Sequence, residues 1–294
     1  MTRIFRLSVL IAMISSFVLV VAAPARAAVT HKLNDYNGDG ISDIVAVEHN
    51  DNCLYRWNGV AGGGFTTRAL VGCGWENLKY ALSAPGDLNR DGIGDLVSVD
   101  NRDGCMYRWL GTGNGGFGAA TRFGCGWDLF WRGLHGAGDL NNDGNGDLIT
   151  IREGNGCMFR AFGDGNGGFL PRERINCEYR NFTETLTGAG DITGDGNADL
   201  VAVNEGETDP CLYRFEGDGQ GSFRRFAQIG CGWGPYVFSR NIAGMGDLNG
   251  DGNGDLVAID LTSGILRGWQ STGNGDYGAA ITYGPGWSTY YLAG

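Results

Sequence analysis

Histidine is nearly missing from this chain. His31, His49 and His135 are the whole supply in 294 residues, and no two hold equivalent places. No GxSxG elbow, Cys–His pair or HExxH segment occurs, so neither a nucleophile with an adjacent base nor a zinc-hydrolase site can be named. The expectation is a protein that is not an enzyme. Basic residues are in deficit too. Lys and Arg number 22 against 33 Asp and Glu, a formal net charge of −11. That argues against nucleic acid as a partner, because such affinity comes from Lys and Arg displacing counterions from phosphates. No helical period is discernible, and 54 glycines point instead to many turns. After the N-terminal segment no apolar run is long enough to cross a bilayer.

That N-terminal segment has its own layout. Arg3 and Arg6 precede an uncharged, mostly apolar run from Leu7 to Ala23, and "ARA" at 25–27 sets small residues where a signal peptidase reads. This reads as a secretory signal over residues 1–27, cleaved after Ala27, the run being short for a membrane-spanning helix. The expected mature chain, residues 28–294, is secreted and extracellular, with no membrane span. It keeps 267 of the 294 residues and, without Arg3, Arg6 and Arg26, carries a formal charge of −14.

What the sequence has in abundance is one acidic segment, repeated. "DYNGDGISD" occupies 35–43, "DLNRDGIGD" 87–95, "DLNNDGNGD" 139–147, "DITGDGNAD" 191–199 and "DLNGDGNGD" 247–255. The first three intervals are 52 residues and the last is 56. Each segment is preceded by small residues ("LHGAG" 134–138, "LTGAG" 186–190) and followed by a β-branched run ("LVSV" 96–99, "LITI" 148–151). An aromatic run, a glycine-rich turn and a closing "GCGW" complete the unit, as in "CMYRW" 105–109, "GTGNGGF" 111–117 and 124–127. A run apolar throughout suits a strand covered on both faces. The glycine turn joins two further strands. Four short strands per period predict a blade, and five periods an all-β, five-bladed β-propeller of four-stranded antiparallel blades. The small-residue strand suits the crowded axis. The C-terminal "YYLAG" resembles one more innermost strand and is expected to close the ring beside the N-terminal "VTHKL".

Eight cysteines fall as Cys53/Cys73, Cys105/Cys125, Cys157/Cys177 and Cys211/Cys231, each pair 20 apart around a glycine-rich turn. Residues equidistant from a hairpin turn face one another at a spacing suited to a disulfide. The fifth copy has Ile265 and Pro285 at the same two places. Both thiols are lost together, as a bonded pair predicts. Zinc doublets are absent, and export favours oxidation. Four disulfides within blades are expected.

The acidic segments place oxygen donors at positions 1, 3, 5 and 9, with glycine at 6 and a backbone carbonyl at 7. Hard oxygen donors in that number suit Ca²⁺ better than Mg²⁺. The expected ligands are Asp35, Asn37, Asp39, the Ile41 carbonyl and Asp43 in the first loop, and Asp87, Asn89, Asp91, the Ile93 carbonyl and Asp95 in the second. Asp139, Asn141, Asp143, the Asn145 carbonyl and Asp147 form the third set. Asp191, Thr193, Asp195, the Asn197 carbonyl and Asp199 form the fourth, and Asp247, Asn249, Asp251, the Asn253 carbonyl and Asp255 the fifth. Five structural Ca²⁺ would take the mature charge from −14 to −4, fifteen of its carboxylates lying in these loops. The spacing matches the first half of an EF-hand loop, but strands flank it and no Glu follows at position 12.

This pattern, followed by an apolar strand and then "GDGNGGF" at 163–169, resembles the FG-GAP/VCBS repeat family of Ca²⁺-binding β-propellers over essentially all of residues 29–294. The resemblance implies calcium in the loops between first and second strands. It also implies a task among cell-surface adhesion, carbohydrate binding, and modules attached to secreted hydrolases or toxin assemblies. The cysteine pairs and the five-fold ring are this chain's departures from the pattern.

Trp75, Trp127, Tyr179, Trp233 and Trp287 hold one place in all five copies. Tyr80, Phe130, Trp131, Phe182, Tyr236, Phe238, Tyr290 and Tyr291 follow them toward the next blade. Such rings either cover the disulfides and fill the blade interface or offer faces on which sugar rings stack. Arg56, Arg108, Arg160 and Arg214, with Gly268 in the fifth place, read first as structural ion-pair partners and second as anion binders. Two functions are carried forward. One is a secreted, multivalent, lectin-like module binding carbohydrate or a cell-surface glycan. The other is a non-catalytic adaptor docking an extracellular protein partner.

Overall fold

In the computed structural model, residues 33–130, 132–236 and 241–294 are described. The expected signal segment, His31, Trp131, Phe238 and the "VTHK" of 29–32 lie outside them. Each repeat becomes strands where its apolar residues come in short runs between turns. The first gives β1 (Ile44–Glu48), β2 (Cys53–Trp57) and β3 (Ala69–Cys73), and the second β4 (Ser83–Gly86), β5 (Asp95–Asp100), β6 (Cys105–Trp109) and β7 (Thr121–Cys125). The third gives β8 (Leu134–Gly138), β9 (Asp147–Arg152), β10 (Cys157–Ala161) and β11 (Glu173–Asn176). The fourth gives β12 (Thr187–Gly190), β13 (Asp199–Val203), β14 (Cys211–Gly217) and β15 (Phe223–Cys231). The fifth gives β16 (Ile242–Gly246), β17 (Asp255–Asp260), β18 (Ile265–Trp269) and β19 (Ile281–Pro285), and β20 (Tyr290–Leu292) ends the chain.

These strands form five four-stranded antiparallel sheets, one per blade. The β-branched strands β1, β5, β13 and β17 are buried along their whole length, because a neighbouring blade covers each face. Five apolar clusters lie at the five blade junctions, as where Leu96 and Trp109 of the second blade meet Leu54 and Trp75 of the first. Burying each large aliphatic side chain there contributes roughly 1.5–3 kcal/mol. The protein is a five-bladed propeller.

The innermost strands must be poor in side chains. A Cβ on Gly136, Gly188 or Gly244 would run into the backbone of the preceding blade's inner strand. At one end of the axis Leu33, buried, packs against the glycines that end four inner strands, Gly86, Gly138, Gly190 and Gly246.

Ring closure is composite. β20 pairs with β1 in the register Ala46 to Leu292, Val47 to Tyr291 and Glu48 to Tyr290. The C-terminus thus supplies the inner strand of the first blade, and residues 33–35 supply the lead from that strand into the acidic loop. Asn34, at φ 65°, stands where the other blades have a left-handed glycine.

All four expected disulfides are present: Cys53–Cys73, Cys105–Cys125, Cys157–Cys177 and Cys211–Cys231. The outer strands carry a bulge near each bond, as between Leu54 and Tyr55, which the spacing of the cysteines conceals. Truncation after Thr289 removes β20 and is expected to abolish the cooperative thermal transition read by circular dichroism. A Cys105→Ala/Cys125→Ala variant keeps that transition and loses about 3 kcal/mol. A truncated chain that melts like the intact one would show that β20 does not close the ring.

Candidate metal loops and the opposite ligand face

Each acidic loop is first organised by its own carboxylates. The position-1 carboxylate accepts backbone N–H groups from positions 4 and 6. Asp35 takes Gly38 (2.8 Å) and Gly40 (2.9 Å), and Asp87 takes Arg90 (2.7 Å) and Gly92 (2.7 Å). Asp191 and Asp247 repeat the pair, whereas Asp139 takes Asp143 and Gly144. The position-6 glycines lie at φ between 84° and 89°, a region other residues enter only at a cost. The position-3 amide donates to the position-5 carboxylate in four loops, as from Asn37 to Asp39 at 3.0 Å. Thr193 departs from this and turns its hydroxyl to Asp191.

The position-9 carboxylates are the deepest. Asp43, Asp95, Asp147, Asp199 and Asp255 are at most 1% exposed. One oxygen of each accepts the position-2 N–H, as Leu140 to Asp147 at 2.8 Å. The other accepts an N–H where the third strand enters the glycine turn, as Gly163 to Asp147 at 2.8 Å. Burial pushes four of these carboxyls up to about 7 and Asp147 to about 8, against the pull of the two N–H groups. The other loop carboxylates push the same way.

These residues fit a hard divalent cation. The donors are all oxygen, and the acids stand together with little basic compensation. Arg224 approaches Asp195 at 4.0 Å, and among the described residues the acids of the second, third and fifth loops form no ion pair. Among the described residues, His, Cys, Asp and Glu side chains alone make no three-ligand group. The position-3 amide and position-7 carbonyl are needed to complete a set. Adjacent loops also touch, Arg90 bonding Asn145 at 2.7 Å and Asn142 bonding Asn197 at 2.9 Å.

The expected sugar platforms are not on the surface. Trp75, Trp127, Trp233 and Trp287 are 5 to 8% exposed. Trp57 lies against Trp287 at 4.4 Å, Trp75 against Trp109 at 4.7 Å and Trp233 against Trp269 at 4.7 Å. Arg172 covers Trp127 at 4.1 Å. Tyr179 is half-buried and meets Phe215. These rings fill the blade junctions, which corrects the idea that they present free faces to a ligand. The arginine repeat is structural, as expected, but its shared partner is a carbonyl, and among the described residues ion pairs form at two of the four positions. Arg56, Arg108, Arg160 and Arg214 each donate to a carbonyl in the next blade's glycine turn, at Asn114, Gly167, Gly221 and Gly275. Among the described residues only Arg160 and Arg214 add close carboxylates, Glu173 at 2.9 Å and Glu216 at 2.8 Å.

The ends of the strands away from the acidic loops carry the second-to-third strand turns and the connectors between blades. Clefts lie there. One, of about 210 Å³, is bounded by His49, Asn241, Leu261, Ser288, Thr289, Tyr290 and Tyr291 between the fifth and first blades. Another, of about 270 Å³, lies between the third and fourth and is lined by Glu153 and Glu205 with neighbouring charged groups. His49, Glu153, Glu205 and Leu261 hold one equivalent place, just after the second strand of their blades. What the repeats share in sequence does not reveal them. The signal that marks them is the place where otherwise similar copies disagree.

A family model described as an FG-GAP-like repeat matches residues 35–98, 87–150 and 191–258, more than half of the chain. The chain belongs to the FG-GAP-like repeat family. No curated protein sequence matches it. Among solved structures it is similar to an Agrocybe aegerita lectin that specifically recognises non-reducing terminal N-acetylglucosamine. The TM-score is 0.46 and the identity 18%, over 89% of this chain and 70% of that one. It is also similar to part of the Photorhabdus luminescens Tc holotoxin pore, with a TM-score of 0.45 and 16% identity, over 88% of this chain and 12% of that one.

The raised carboxyls of this FG-GAP propeller set a pH dependence. A carboxyl whose folded pKa lies above its unfolded value holds its proton more tightly when folded, so folding is favoured at low pH and weakened as pH rises between the two values. With five such groups moved from 3.8 to about 7 or 8, the metal-free protein is expected to melt lower at pH 8 than at pH 5. Thermal scans in chelator test this. A melting temperature that climbs steadily over that interval would show these acids to be ionised without penalty.

Proposed function

We propose that this protein is an exported, calcium-stabilised, non-catalytic propeller that binds carbohydrate through clefts on the face opposite its acidic loops. The observation that carries the reading is the contrast between the two faces. The loop face repeats nearly unchanged five times, as a scaffold does, while the opposite clefts differ from junction to junction, as recognition surfaces do. The cleft between the fifth and first blades presents an imidazole, an amide, two hydroxyls and the half-buried ring of Tyr291. A sugar needs such hydrogen-bonding groups beside an aromatic face. Its volume, below the ~300 Å³ at which pockets for drug-sized ligands begin, suits one sugar unit. Several weak clefts on one rigid disc gain avidity on a glycan-coated surface. The signal-like residues 1–27 and the four disulfides support export.

Calcium in this reading is structural. Held in each loop by the side chains at positions 1, 3, 5 and 9 and the carbonyl at position 7, it would supply positive charge where the carboxylates crowd. In the third loop these are Asp139, Asn141, Asp143, Asp147 and the Asn145 carbonyl. The loops' own hydrogen bonds hold those donors in place. Metal analysis after equilibration with millimolar Ca²⁺ is expected to find up to five ions per chain, the Thr193 loop filling last. Chelation lowers the melting temperature, and Mg²⁺ restores less of it than Ca²⁺ does. Protein that retains no Ca²⁺ and melts alike with and without chelator would remove the ion from this account.

A glycan array tests the ligand. Binding is expected on the calcium-loaded protein and is reduced at least about tenfold, the worth of one charged or well-placed hydrogen bond, in a His49→Ala/Tyr291→Ala variant with an unchanged circular dichroism spectrum. Silence across a broad array from loaded, folded protein points to the docking of a protein partner instead.

A further inference from the structure

The cleft between the third and fourth blades differs in chemistry from the one at the ring closure. Two cations stand at its mouth. Arg152 ends β9, Arg180 opens the 3-10 turn Arg180–Phe182, and both are exposed. Arg180 gives one nitrogen to the Gly154 carbonyl at 2.8 Å. Neither forms an ion pair among the described residues. A third, Arg132, lies between Glu153 at 3.7 Å and Glu184 at 3.4 Å and holds those two acids. Deeper in, Glu205 accepts the Glu184 N–H at 3.0 Å. Burial pushes its carboxyl up to about 7, which lightens the negative charge of the floor. Glu153 Oε1 is buried and has no hydrogen-bond donor among the described residues.

Such a cleft asks for a ligand with an anion at one end and hydroxyl donors at the other. Guanidinium groups recognise carboxylate and sulfate by paired, charge-assisted hydrogen bonds. A buried carboxylate oxygen without a hydrogen bond is costly until a donor reaches it. A neutral sugar would satisfy the floor and leave the two arginines to water. A simple anion would satisfy the arginines and leave Glu153 Oε1, 3.7 Å from the Arg132 Nε, without a hydrogen bond. We propose that this cleft binds an acidic sugar, its carboxylate or sulfate ester on Arg152 and Arg180 and its ring hydroxyls donating to Glu153 and Glu205. The assignment rests on the carbohydrate reading above and is local to one junction. At the ring closure Asp260 and Ser288 stand in the places of Arg152 and Arg180, and among the described residues its lining includes no arginine.

NMR titration of the calcium-equilibrated chain with glucuronate, glucose 6-sulfate and glucose tests it. At least one of the two acids is expected to bind about tenfold or more tighter than glucose, as a charged hydrogen bond implies. The acid preferred identifies the anion. In Arg152→Ala/Arg180→Ala, both side chains being exposed, the preference collapses to parity and the melting temperature holds. Should that variant not fold, Arg152→Gln alone carries the same comparison. Glucose binding as tightly as either acid, or a preference that survives loss of the arginines, overturns the acidic assignment while leaving carbohydrate binding in place. Binding of none of the three here, with a silent glycan array, overturns both.

Discussion

One buried carboxylate in each blade ties three stretches of backbone together. Through its two oxygens, the last Asp of every acidic loop fastens the start of that loop and the end of the third strand to the beginning of the second strand. A carboxylate excluded from water and accepting two N–H groups is a strong local constraint. It fixes where the loop leaves the axis and where the outer hairpin begins. It also concentrates negative charge inside the protein. A cation in the loop, as proposed above, would relieve that charge and make a chain this acidic compatible with so tight a ring.

The rest of each blade follows from packing against its neighbours. Inner strands made of glycine and alanine allow backbones to approach at the axis, while the Trp and Phe rings close the wider outer junctions. The arginine of one blade spans to the glycine turn of the next at four of five junctions. At the fifth, Gly268 leaves room filled by Tyr283, and that junction has no disulfide on its fifth-blade side. Closure there relies on β20 and on the stack of Trp57, Trp287 and Tyr290. The ring therefore has one seam, built differently from its other joints.

The division between the two faces follows from the same geometry. The loop end of each strand pair is crowded by its own hydrogen bonds and tolerates little change. The opposite end consists of turns and connectors that satisfy their backbones locally, so side chains such as His49, Glu153 and Glu205 vary without disturbing the core. Function is read most readily where the fold places least demand.

The sequence alone determined the blades, the four disulfides and the acidic loops, because each depends on residues near in the chain: a 52-residue period, a 20-residue hairpin spacing, a nine-residue loop. Ring closure was legible in outline from "YYLAG", though not that Asn34 and Leu33 complete the same blade. Only the tertiary structure decided that Trp75, Trp127, Trp233 and Trp287 face inward and that the repeated arginines seek carbonyls. It alone brought Arg152, Arg180 and Glu205 around one cleft. Those outcomes depend on what the neighbouring blade presents some fifty residues away, and a repeat read one copy at a time does not contain its own neighbour.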